Sequence, residues 1–342
     1  MKKGRILTGH RPTGPRHLGH LVGTLENWAR LQDEYECYFL IADWHVLTTD
    51  YSHTERIQQN IRHVLIDWLA AGIDPERSTI VLQSGVPEHA ELALLLSMLV
   101  TVARLERVPT YKEQIQELRL EPSLGLLAYP VLQAADILIY RADTVPVGED
   151  QMPHIELSRE LARRFNSLYR NIFPEPQGLL STAPRLPGLD NRTMHASWGN
   201  AIYLSDDREA VRRKVLSMYT DPTRIHATDP GHVEGNPVFV YHDLFNSDLH
   251  EVEELKARYR AGKVGDVEVK ERLARALNDY LEPLRQRRAE IVGRAHLVDD
   301  ILVQGTARAR LLARETMEKV REAMALAYSR GARYKSSGHQ LG

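Results

Sequence analysis

The chain has 342 residues, and 44 Lys and Arg stand against 46 Asp and Glu for a formal net charge of −2. With 43% hydrophobic and 26% charged residues it has the composition of an ordinary globular protein, which excludes a disordered or fibrous chain. The charge balance gives no overall attraction to nucleic acid, and the longest apolar run, residues 92–103, falls short of the roughly 20 residues that span a bilayer. That run reads as a buried core helix.

The N-terminal residues MKKGRILTG pass at once into a strand-like run, without the apolar stretch of a secretory signal. Cys37 is the single cysteine, so no intramolecular disulfide can form, and a cytoplasmic location is expected. In chain order the pattern predicts a strand at residues 5–8, a turn at 9–14, a helix at about 17–33, a strand at 38–42, a helix at 54–71 and a strand at 79–83. Such β-α-β-α-β alternation points to an α/β fold with a Rossmann-type parallel sheet and a ligand crevice at the carboxyl ends of its strands. A long helical region follows at 87–118. A further helix is expected to open near Tyr129-Pro130, since proline suits a first helical turn.

Residues 144–148 read as a strand feeding a helix at 152–169. Four prolines and three glycines in residues 174–199 mark an irregular loop and a domain boundary. Beyond it, residues 206–328 are helical in pattern apart from a polar loop at 229–237, and the tail 331–342 is expected to be loose. The basic clusters Arg163-Arg164 and Arg212-Arg213-Lys214 lie in Glu-rich helical runs and read as solvated faces.

The strongest local signal is TGHRPTGPRHLGH, residues 8–20, set between a strand and a helix. A nucleotide phosphate is held by backbone N–H groups at a helix N-terminus, by glycines that permit close approach and by nearby side-chain donors. Gly9 and Gly14 would supply the turn, Gly19 the approach, and Arg11, Thr13, His17 and His20 the donors. His17 and His20, three apart, share one helix face. Read from residue types alone, the same stretch is also compatible with a plain strand-helix connection. A metal site is not expected, because no cysteine or acidic ligand accompanies the histidines.

A second signal is YPVLQAADILIY, residues 129–140, where Tyr129, Gln133 and Asp136 fall on one helix face among apolar residues. A carboxylate in such surroundings is costly unless a donor meets it, and an indole N–H would serve. An arginine or a neighbouring helix end would serve equally.

His17-Leu18-Gly19-His20 resembles the HIGH signature of class I aminoacyl-tRNA synthetases, and the preceding Arg11-Pro12-Thr13-Gly14 resembles the turn found in the tryptophanyl-tRNA synthetases. The likeness continues through Ala42-Asp43-Trp44-His45, residues 129–136 and residues 145–156. The resemblance implies that Arg11, Pro12, Thr13, Gly19, His20, Gly148, Glu149, Asp150 and Leu186 bind ATP. It implies further that Asp136 recognises an indole nitrogen, with Tyr129, Gln133 and Gln151 around the amino acid. The spacing of Tyr129, Gln133 and Asp136 is also similar to the amino-acid helix of tyrosyl-tRNA synthetases, so tyrosine stays open as a substrate.

The family's second signature, KMSKS, is altered. Here Thr193-Met194-His195-Ala196-Ser197 keeps the Met and the last Ser, both lysines are absent, and Arg192 stands one residue early. With His17 and His20, these five residues are the expected catalytic and phosphate-binding group. The loss of both lysines leaves a catalytically weak relative as an alternative.

The resemblance thus implies ATP-dependent attachment of L-tryptophan to tRNA(Trp) through an aminoacyl-adenylate, with Mg²⁺ accompanying ATP and no structural metal. It also implies a catalytic domain of residues 1–200, a helical tRNA-binding domain of 201–302, helices of about 303–330 packing back on the former, and a homodimer with no membrane contact. Arg285, Arg287 and Arg288 are candidates for contact with tRNA phosphates.

Overall fold

The computed structural model describes residues 2–118, 121–181, 185–226 and 228–327, so the tail 331–342 lies outside the described residues. The Ser197 side chain likewise lies outside the described part of the structure. Strands β1 (Arg5–His10), β2 (Glu36–Ile41), β3 (Ser78–Leu82), β4 (Thr144–Val147) and β5 (Gln177–Leu180) form one parallel sheet in the order β3-β2-β1-β4-β5. In β2 every residue after Glu36 is buried, as expected of a central parallel strand covered on both faces. Strand β5 sits inside the stretch read as an irregular loop. It is four residues long with a glycine, too short and too exposed to show a two-residue period.

The helices are α1 (Leu18–His20), α2 (Glu26–Glu34), α3 (Trp44–Leu47), α4 (Ile57–Ala70), α5 (Glu88–Ser97), α6 (Val102–Leu105), α7 (Pro109–Leu118), α8 (Leu124–Ile139), α9 (Met152–Leu168), α10 (Arg208–Leu216), α11 (Pro237–Phe245), α12 (Leu249–Arg260), α13 (Asp266–Val292) and α14 (Ala295–Ala323). Between α1 and α2, Leu21–Leu25 form a π turn, so the helix expected at 17–33 is one run with a widened turn near its start.

Two helix expectations need correction. Helix α8 opens at Leu124, where the Ser123 hydroxyl accepts from Leu126 N–H at 3.0 Å, and Pro130 lies inside it. The cap, not the proline, sets the start. The apolar run at 92–103 is split between α5 and α6, and Leu94, Met98 and Val102 are exposed, so it is not a wholly buried helix.

Alternate residues of the sheet feed two cores. Ile6, Cys37, Phe39, Ile41 and Ile80 join a cluster that runs through α4 into the helices from Val211 to Leu284. Leu7, Tyr38, Leu40 and Val81 join a second, made with α5, α8, α9 and Ala309, Ala313, Met317 and Val320 of α14. Helix α14 covers the β3 edge of the sheet. A Cβ on Gly305 would stand 2.1 Å from the Ile80 carbonyl oxygen, so only glycine allows this approach, and Leu82 N–H donates to Thr306 Oγ1 at 3.0 Å. Arg310 Nε to Glu88 at 3.0 Å and Arg321 Nε to Glu91 at 2.7 Å tie α14 to α5.

Candidate active site

Strand order reverses between β1 and β4, and in doubly wound sheets ligands bind outside the carboxyl ends of the strands at that point. The segment after β1 carries Arg11 to His20, and the segment after β4 carries Gly148, Glu149, Asp150 and Gln151. These two segments therefore face one crevice. Gly148, Glu149 and Asp150 are exposed on its rim, where Gln151 Nε2 donates to Asp150 at 2.7 Å.

The turn after β1 is built around Gly14, whose φ of +146° suits glycine, while Gly9 lies in β1 itself and contributes no turn. Pro12 is buried and Thr13 exposed, and Thr13 N–H closes the turn on the Arg11 carbonyl at 2.9 Å. Residues 16–18 are held from the far side, with Leu18 N–H donating to Ile202 O and Leu204 N–H to Arg16 O, both at 2.9 Å. His17 N–H donates to His20 Nδ1 at 3.3 Å, and the two rings lie 3.8 Å apart. Burial, then the Arg16 and His195 charges, pushes His17 down to about 4. Burial, Arg16 and the surrounding histidines hold His20 well below its ordinary value. Both rings are neutral at pH 7, so they act as hydrogen-bonding groups rather than cations.

Arg16, which the motif reading passed over, is the buried cation of this turn. It is 3% exposed, donates to Gly14 O at 2.6 Å, and is lowered by burial to about 10, still charged at neutral pH. Its backbone N–H donates to the fully buried Asp67 at 2.8 Å. Arg11 donates to Thr49 Oγ1 and is lowered by burial. Arg11 Nε, Arg16 Nε and His17 Nδ1 are buried nitrogens without a hydrogen-bond partner.

The altered signature loop folds against this turn. A Cβ on Gly19 would meet Met194 Sδ at 3.6 Å, and Met194 is buried while Thr193, His195 and Ala196 are exposed. Leu186 is buried in the same core cluster as Leu18 and Met194. Asn200 clamps the loop, accepting from His195 N–H at 2.8 Å and donating to Asp190 at 2.8 Å and Thr193 O at 3.0 Å. Arg192 is committed elsewhere. Its Nε and Nη2 donate to Asp190 at 2.7 and 2.5 Å, and its guanidinium lies 5.1 Å over the Trp198 ring. Asn200 and then Arg192 draw the Asp190 carboxyl down to about 2.

On α8, Asp136 is 2% exposed, and its need for a donor is met by protein. His45 Nε2 donates to Oδ2 at 2.9 Å, His89 Nδ1 to Oδ1 at 2.6 Å, and Gln83 Nε2 lies 2.9 Å from both oxygens. Burial would raise this carboxyl, yet the hydrogen bonds and charges of His45 and His89 outweigh it and hold it below the usual range. The donors that a carboxylate in these surroundings needs are thus supplied by two histidines and a glutamine of the chain itself.

Gln83, His89 and Tyr140 were missed as partners. The signal was a Gln ending a strand and a His in an apolar helix, which sequence alone cannot join to Asp136. Tyr129 is buried, with its hydroxyl 2.5 Å from Thr110 Oγ1, which in turn lies 2.9 Å from His154 Nε2. Gln133 is half-buried one turn along.

The candidate tRNA arginines are mostly structural. Arg285 donates to Asp206 O at 3.1 Å, Asn278 O at 3.1 Å and Asn278 Oδ1 at 2.5 Å. Arg287 donates to Ala70 O at 2.7 Å and Arg288 to Asp67 at 2.9 Å, so these side chains fasten α13 to its neighbours. These bonds take all three nitrogens of Arg285 but only Nε of Arg287 and Arg288, so the expected contact with phosphates loses its basis for Arg285 alone. Arg163 pairs with Glu156 at 2.9 Å and Lys214 with Asp206 at 2.6 Å, consistent with solvated faces.

Among known proteins, residues 1–282 match the family model of class I tRNA synthetases (W and Y). A tryptophan–tRNA ligase of Treponema pallidum is 54% identical over 326 residues, covering 94% of this chain and 97% of that protein. One of Thermotoga maritima is 50% identical over 327 residues, covering 95% and 100%. A crystal structure of tryptophanyl-tRNA synthetase from Campylobacter jejuni, complexed with ADP and tryptophan, superposes with a TM-score of 0.85 at 32% identity, covering 94% of this chain and 100% of that one. The chain belongs to the class I tRNA synthetase family whose members act with tryptophan (W) or tyrosine (Y).

Proposed function

We propose that this chain joins tryptophan to its tRNA, with ATP held by the β1 turn and the 193–197 loop and the amino acid held against α8. The observation that carries the reading is the approach of Met194 to Gly19, in the turn that holds His17 and His20, at the switch point of the sheet. Tryptophan is preferred to tyrosine because the similar curated relatives are tryptophan–tRNA ligases.

In the first step a tryptophan carboxylate oxygen attacks the α-phosphorus of ATP, and the bond to pyrophosphate breaks. In the second a hydroxyl of the tRNA ribose attacks the adenylate carbonyl, AMP leaves, and the hydroxyl proton is released. Mg²⁺ enters with ATP as part of that substrate. Positioning and charge stabilisation carry such chemistry. Arg11 and Arg16 supply charge, His17 and His20 supply N–H groups, and the exposed Thr193, His195 and Ala196 close over the phosphates with Ser197. Pro12, Thr13, Gly148, Glu149, Asp150 and Leu186 border the nucleoside, while Tyr129, Gln133 and Gln151 surround tryptophan.

Asp136 orients the pocket. An indole N–H reaches it by replacing one existing donor, and the Gln83 amide, divided between two oxygens, is the one most readily displaced. The helical unit of residues 201–302 receives the tRNA. Two chains pair through the exposed apolar face of Leu94, Met98 and Val102, and the enzyme works in the cytoplasm, where a buried reduced Cys37 is at home.

Amino-acid-dependent exchange of pyrophosphate into ATP tests the reading. Exchange with tryptophan well above that with tyrosine supports it. Exchange with tyrosine alone, or with neither, removes it in favour of a tyrosine enzyme or an inactive relative.

A further inference from the structure

Beside the His17–His20 turn lies a part-buried polar chain that the reaction scheme leaves unused. Trp68, fully buried on α4, donates its indole N–H to His10 Nδ1 at 3.1 Å. An indole nitrogen is donor-only, so His10 Nδ1 must accept and the ring's proton must sit on Nε2. His10 Nε2 lies 3.2 Å from Thr24 Oγ1, which therefore accepts from it. The Thr24 hydroxyl proton is then left to donate to the His20 carbonyl at 2.7 Å. Every proton in the sequence Trp68, His10, Thr24, His20 is assigned by the first donor.

The relay ends on the π turn Leu21–Leu25. A threonine hydroxyl bonded to the carbonyl four residues back bends or widens a helix, and π turns of this kind recur at functional sites. Here the bond anchors the carbonyl of His20, the residue whose ring meets His17. Packing reinforces the register, since the His10 ring lies 4.5 Å from Trp28, 5.7 Å from Trp68 and 5.2 Å edge-on from His20.

We propose that Trp68, His10 and Thr24 are positioning residues, a directional hydrogen-bond relay that sets the π turn and with it the placement of His20 toward ATP. The inference rests on the reading of the β1 turn as the ATP-binding turn. None of the three residues belongs to the ATP-binding or amino-acid-binding sets named above.

The test is single-turnover adenylate formation in the full-length protein, measured with the Michaelis constants for ATP and tryptophan and the melting temperature. Thr24→Val keeps the shape and removes the hydroxyl. It is expected to lower the rate about tenfold, the worth of one hydrogen bond, with the Michaelis constant for tryptophan unchanged. Thr24→Ser restores the hydroxyl and should return the rate to within about threefold of the parent. Trp68→Phe removes the first donor together with part of a buried ring and should slow the step about threefold, with the melting temperature reporting the packing loss; should Thr24→Val fail to fold, this variant decides. Because both changes break one relay, the double variant should be no slower than Thr24→Val alone. A Thr24→Val rate equal to the parent, or additive losses in the double variant, overturns the relay. If His20→Ala itself forms adenylate at the parental rate, it is the reading of the turn that fails.

Discussion

The two ends of the crevice treat their polar atoms differently. At the amino-acid end, Asp136 meets His45, His89 and Gln83, and His89 Nε2 passes on to the Tyr140 hydroxyl at 2.6 Å. At the phosphate end, buried nitrogens of Arg11, Arg16 and His17 meet no acceptor. Buried polar groups are normally paired, so a cluster of unpaired ones marks where a ligand or water supplies the partner. On the proposed function, the fold completes the amino-acid end in advance and leaves acceptors to be supplied at the phosphate end. The distinction is one of degree, since His154 Nδ1 is likewise unpaired near Tyr129.

Removing the centre of the completed end should cost the most. Asp136→Ala strips two histidines and a glutamine of their acceptor and is expected to destabilise the protein by about 3–5 kcal/mol. Tryptophan affinity should fall further than ATP affinity. Denaturant melts with calorimetry on the folded fraction check both, and unchanged stability would break the contrast by showing the network to be slack.

Acid should act next, and in a definite direction. His17 and His154 are both lowered from 6.5 to about 4, chiefly by burial. As pH falls below 6.5 the unfolded chain takes these protons first, so their stability contribution is complete above 6.5 and lost as pH approaches 4. At pH 5 the loss should be roughly 2 kcal/mol per histidine. Asp136, held below 3.8, adds its own loss only beneath that value. Urea titrations at pH 7 and pH 5 measure the loss, and His17→Gln or His154→Gln should flatten the dependence for its own end.

The smallest effect on function is expected from α13. Arg288→Ala leaves the buried Asp67 with only the Arg16 N–H as donor and should cost on the order of 1–3 kcal/mol of stability. Arg285→Ala should leave the salt dependence of tRNA binding unchanged, whereas each true phosphate contact carries a slope of about 0.7 to 0.9. A reduced slope would return Arg285 to the tRNA surface.

Legibility in the sequence followed the range of the interactions. The strands β1 to β4 and the turn at residues 8–20 were readable because they rest on local periodicity and on residues adjacent in the chain. Asp136 was readable as a buried carboxylate, but its partners come from three other segments, 47 to 91 residues away, which no local pattern links. The arginines of α13 looked like a nucleic-acid patch because their acceptors, a carbonyl on α4 and the buried Asp67, are more than 200 residues distant. His10 carried no signal until Trp68 and Thr24 were brought beside it.

Partners missing from the fold at the phosphate end are expected to come from ATP, with Arg11 rather than Arg192 standing in for the absent lysines. Single-turnover adenylate formation by Arg11→Gln and Arg192→Gln tests it directly. Arg11→Gln is expected to slow the step by about 10²- to 10³-fold, the worth of one preorganised electrostatic contact. Arg192→Gln, whose guanidinium is already spent on Asp190 and Trp198, should stay within about threefold of the parent. A crippled Arg192→Gln beside a normal Arg11→Gln would contradict the account.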